Sequence, residues 1–125
     1  MAAVTTTVAK KKMLLARAGD AALPKIVKMA FGNGGVTSGG VIIEPTEDQT
    51  DLNSEIGRYD ITSHEVISDT RIKYYCKLGE STLAGKEISE LALVDEDGDL
   101  VTIKNFAAKG KDGDFTFTFA INDTM

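Results

Sequence analysis

The sequence predicts an α+β fold that is mainly antiparallel β, a β-sandwich or rolled sheet carrying one N-terminal helix. Three observations lead there. FTFTFAIND at 115–123 and TRIKYYCKL at 70–78 alternate apolar and polar residues with a period of two, the pattern of half-buried strands. Most of the apolar runs are joined by short connections bearing glycine or aspartate, too brief for the crossover a parallel pair needs. One stretch only, near the N-terminus, has the spacing of an amphipathic helix.

That helix is VAKKKMLLARA, from Thr7 to Ala18. Val8, Met13 and Leu14 lie toward one side with the lysines opposite, and Gly19-Asp20 supplies a stop. After AALP comes KIVKMAF, a short β-branched run between Pro24 and GNGG at 32–35, read as a strand with a helix as the alternative. Five glycines make residues 32–40 a loop able to take left-handed conformations. PTEDQTDLNSEI at 45–56 is polar and reads as an ordered linker. Ile61–Ile67 and Thr70–Leu78 follow as two strands joined at Ser68-Asp69, with Ile72, Tyr74, Cys76 and Leu78 on the inward face of the second. GESTLAGKEIS connects to ELALV, and the DEDGD turn leads into LVTIKNF. GKDGD at 110–114 repeats the same turn device before the last strand, where Phe115, Phe117, Phe119 and Ile121 share a face. The sum is one helix and about six strands in a single domain, residues 1–125.

Composition narrows the function classes. A length of 125 residues, 42% hydrophobic and 26% charged, suits one globular core without metal or disulfide support. A net charge of −5 opposes nucleic-acid binding, which needs a basic surface. No segment reaches the roughly 20 apolar residues of a membrane helix, and the N-terminus lacks the apolar core of a secretory signal. The lone Cys76 forbids an internal disulfide and fits synthesis in a reducing cytoplasm. No nucleic-acid or membrane partner and no cofactor is expected.

The motifs that resemble chemistry fail their own templates. DEDGD holds four carboxylates in five positions. A calcium loop counted from Asp95 needs glycine at its sixth position and glutamate at its twelfth, where this chain has Leu100 and Phe106. Gly98 falls instead where a hairpin turn needs it. His64 is the only histidine and has no partner motif, so a catalytic base is disfavoured. Cys76 sits among inward-facing apolar residues and reads as core. GNGG lacks the lysine and Ser/Thr of a phosphate loop. No catalytic or metal-binding residue is assigned.

Three segments, taken in order, carry a resemblance. The first is KIVKMAFGNGG at 25–35. The second is PTEDQTDLNSEIGRYDI at 45–61, whose pattern residues are Pro45, Thr46, Thr50, Leu52, Glu55 and Arg58. The third is KEISELALVDEDGDLVTI at 86–103, with Ile88, Glu90, Leu93, Asp95, Gly98 and Leu100. This succession resembles the phage tail-collar fibre family, from about Met13 to the C-terminus. Asn33 stands where that family often has Asp, and Ala92 where it often has Gly. The resemblance implies a structural component that attaches a tail fibre or receptor-binding protein to the baseplate of a contractile tail, in a phage or a bacteriocin-like particle. It further implies contact with other tail proteins, homo-oligomerisation, and residence in the virion or tail particle after synthesis in the bacterial cytoplasm. Because no shaft or receptor-binding tip follows the last strand, anchoring rather than host recognition is expected of it, as a free-standing protein. Residues 1–12 form the candidate partner-contact arm, with Lys10, Lys11 and Lys12. Asn33, Gly34 and Gly35 in the glycine loop, and Pro45, Thr46, Asp48 and Leu52 in the polar segment, complete the candidate contacts. The alternative reading is a small carbohydrate- or calcium-binding module built on the acidic hairpin.

Overall fold

The computed structural model describes residues 3–125. Among them one helix and eight strands follow in the order β1 Val4–Thr5, α1 Thr7–Arg17, β2 Ile26–Gly32, β3 Glu55–Asp60, β4 Ser63–Ser68, β5 Arg71–Leu78, β6 Glu87–Asp95, β7 Leu100–Gly110 and β8 Phe117–Thr124. Two antiparallel sheets result, one of five strands in the order β1-β7-β6-β2-β3 and one of three in the order β4-β5-β8. The expected mainly antiparallel α+β architecture is what forms.

The inward faces follow from the alternation. Met29 and Phe31 of β2 and Leu91 and Leu93 of β6 meet Cys76 and Leu78 of β5 and Phe119 and Ile121 of β8 in one cluster between the sheets. Phe31 packs edge-on to Phe119 with ring centroids 5.3 Å apart. The opposite face of the large sheet buries Ala30, Ala92, Val94, Leu100 and Ile103, with Leu52 and Val4 packed there. The large sheet is therefore apolar on both faces, and residues outside its strands must cover the second one.

Thr6 fixes the N-terminal segment. Its backbone N–H donates to Val101 O at 2.9 Å, its hydroxyl donates to Leu100 O at 2.7 Å, and the same oxygen accepts the Ala9 N–H at 3.1 Å. One buried threonine thus caps α1 and pins it to β7.

Several expectations are corrected. The residue α1 buries is Ala9, while Leu14 is 61% exposed, because the helix lies against the sheet through its Thr6-anchored side. The segment expected as a linker over 45–56 stops at Ser54, because Glu55 opens β3, which pairs with β2, Met29 opposite Tyr59 and Phe31 opposite Gly57. The GKDGD segment does not form a second hairpin, since β7 and β8 belong to different sheets. Phe115 lies outside β8 and is 60% exposed. In the 32–40 loop only Gly40 takes a positive φ, +81°.

Candidate functional site

The candidate site is the place where the three segments of the resemblance meet, around Glu90. This residue lies in β6 and is fully buried. A carboxylate taken out of water is costly unless its oxygens are bonded. Glu90 Oε2 accepts the Gly34 N–H at 2.9 Å and the Ser54 N–H at 3.0 Å, and Oε1 accepts the Asn53 N–H at 2.7 Å. Three charge-assisted bonds to backbone thus join the turn after β2, the strand β6 and the segment before β3. Further bonds close the junction: Asn33 N–H to Ser54 O at 2.9 Å, Asn53 Nδ2 to Gly34 O at 3.0 Å, and Gly35 N–H to Ser89 Oγ at 2.9 Å.

The glycines serve this close approach rather than a left-handed turn. A Cβ on Gly35 would overlap the Ser89 carbonyl oxygen, and one on Gly32 would overlap Glu90 Oε2. A Cβ on Gly34 would sit 2.7 Å from Asn53 Cβ. Arg58 makes a second tie between the same segments. Its Nε donates to Glu55 at 2.8 Å and its Nη1 to the Gly98 carbonyl at the tip of the acidic hairpin at 2.9 Å.

That hairpin has its own cation. Asp95 is buried, and its Oδ1 accepts the N–H groups of Asp97 and Asp99 at 3.0 and 3.1 Å. The oxygens of Asp95, Asp97 and Asp99 lie close enough to hold a metal ion, yet the ammonium of Lys12 stands among them at 2.7, 3.0 and 2.7 Å. Burial opposes the charge on Lys12, but the bonds to Asp95, Asp99 and Asp97 outweigh it and raise its pKa above the usual lysine value. The acidic knot is a salt-bridge pocket for a residue of α1, and Gly98, with φ +86°, makes the turn.

The remaining predicted residues are dispersed. Lys10 pairs with Glu47, Lys11 is exposed, and Pro45, Leu52 and Gly35 are buried within the chain. Asn33, Thr46 and Asp48 are exposed and Gly34 half-buried. Residues 1 and 2 of the candidate arm lie outside the described residues. His64 is exposed on the edge strand β4 beside Tyr74. Cys76 is buried, and burial, reinforced by Asp60, pushes its thiol up to about 11, so it is an inert thiol at neutral pH.

Sequence reasoning missed Lys111. It is 1% exposed, and its ammonium donates to the carbonyl oxygens of Gly79, Glu80, Phe115 and Asp112 at 2.8 to 3.3 Å while lying 5.3 Å from the Phe117 ring centroid. A lysine in a polar, glycine-rich turn gives no signal of burial.

A β-sandwich whose buried acids, glycines and lysines are engaged in fastening its own loops belongs to the class of structural modules. The chain matches the family described as phage tail-collar fibre protein, N-terminal, over residues 1–116, and it belongs to that family. As a member it is a phage tail protein, a structural component of the virion or tail particle. No curated protein matches it.

Proposed function

We propose that this domain attaches a tail fibre or receptor-binding protein to the baseplate of a contractile tail, in a phage or a bacteriocin-like particle. It acts as a homo-oligomer and without catalysis. The supporting observation is the Glu90 junction: this buried carboxylate is spent on fastening three stretches of the domain's own chain, which builds a rigid frame for exposed contact residues. Lys11, Asn33, Thr46 and Asp48 are the exposed members of the candidate contact set and the first choices for partner contact. Lys10 and Lys12 of the candidate arm, with Gly34, Gly35, Pro45 and Leu52, shape the backbone that presents them. Cryo-EM of purified particles, with and without this protein, tests the proposal. Its density is expected at the baseplate beneath the fibre, and particles lacking it are expected to lack fibres. Fibres that stay attached in its absence, or density along the tail tube, would overturn the reading.

A further inference from the structure

Among the described residues the sandwich is open along one side. Among the described residues β8 pairs only with β5, and β7 beyond Ile103 has no strand on its outer side, because β1 begins at Val4, opposite Ile103. The direction of the free groups on β8 follows from its neighbour. Tyr75 O accepts the Thr62 N–H at 2.8 Å and Lys77 N–H donates to Thr62 Oγ1 at 2.9 Å, so the odd residues of β5 face β4 and the even ones face β8. Cys76 is opposite Phe119 and Tyr74 opposite Ile121, so the odd residues of β8 bond to β5. Thr118, Ala120, Asn122 and Thr124 therefore aim their N–H and C=O groups at the open side, a template for one more strand.

The space beside that edge is a groove. A depression of about 530 Å³ runs along residues 117–120 against Phe106 of β7, and one of about 280 Å³ continues past Asn122 and Thr124, with Lys104 lining both. Its charge is one-sided. Lys104 and Lys109 of β7 and Arg71 of β5 line it, and among the described residues no carboxylate does. None of the three cations has an ion-pair partner among the described residues, in a chain whose net charge is −5.

We infer that this groove receives an extended acidic segment of a partner protein, which adds a strand to the free edge of β8. Backbone groups of the guest pair with Thr118, Ala120 and Asn122, its apolar side chains lie on Phe106 and Phe117, and its carboxylates meet Lys104, Lys109 and Arg71. A second copy of this chain is a poorer occupant, because it brings the same cations to the same edge. The inference stands on the groove and does not depend on the attachment reading.

The test uses the full chain and a capped nine-residue peptide alternating valine and glutamate, with a valine–lysine peptide as control. The acidic peptide is expected to protect the amides of Thr118, Ala120 and Asn122 from hydrogen exchange, while Phe119 and Ile121 keep the protection they already have. Lys104→Glu with Lys109→Glu is expected to weaken binding about fivefold or more, the sum of two exposed ion pairs. Ala120→Pro removes an outward N–H but no bond to β5, and is expected to abolish the protection. The inference is overturned if the acidic peptide fails to bind at millimolar concentration, or if the lysine peptide binds as well. Binding unchanged by both sets of substitutions also overturns it. Protection of the same amides by self-association, without peptide, would assign the edge to a second copy and reject the acidic guest.

Discussion

Glu90 shows how one buried carboxylate can organise three distant stretches of chain. Because both its oxygens only accept, Glu90→Gln would point an NH₂ at one or two backbone donors. The expected loss is about 3 kcal/mol, read from the urea midpoint; a change below about 0.5 kcal/mol would mean the junction is not a clamp. Asp123 behaves in the opposite sense. Burial raises its pKa above the usual aspartate value, against the weaker pull of the Thr102 hydroxyl at 3.5 Å. A raised folded-state pKa means that the protonated form favours folding. That contribution is complete below the unfolded value of about 3.9 and is lost as pH rises through the folded one. Asp123→Asn should therefore raise the melting temperature at pH 7, with the gain shrinking as pH falls toward 3. A gain that grows on acidification would contradict this. Neither role was legible in the sequence: Glu90 opens an apolar run as a solvated charge would, and Asp123 closes the last predicted strand as an exposed polar residue would.

At the scale of elements, the pairing of α1 with the acidic turn explains why DEDGD is so dense in charge. Lys12→Met keeps the stem and removes the ammonium, leaving Asp95 buried without its cation. A loss of about 2 kcal/mol is expected, with the hairpin amides of Asp97 and Asp99 exchanging faster than those of β5. Equal acceleration across both sheets would show that Lys12 acts globally rather than on the hairpin. Alternation made β5 readable from the sequence, because a half-buried strand writes its faces into its residues. The β6–β7 hairpin was readable from its flanking apolar runs and its glycine turn. β3 was not readable, since EIGRYD carries a glycine under the Tyr59 ring and offers little apolar pattern. Turn chemistry marked 110–114 as a break, but a turn is local while the choice of sheet is not. Hence the chain was expected to fold back on β7 and instead crosses to β5.

Across the whole molecule, the small sheet has no hydrophobic interior besides the core it shares with the large one, built on Phe31, Leu93, Leu78 and Phe119. Unfolding is expected as one transition. Cys76 is a built-in reporter, being fully buried in β5 within the core between the sheets. Its alkylation at neutral pH and the loss of near-ultraviolet circular dichroism should share one urea midpoint. Alkylation at lower urea would show that the small sheet opens alone.

Lys111 has a consequence for the particle's surroundings. Four carbonyl oxygens around one ammonium form an oxygen cage supplied with a cation that cannot diffuse away. The loops it joins need nothing from the medium. A tail carrying this module should keep them closed in chelator-washed or ion-poor water, and EDTA is expected to leave its melting temperature unchanged.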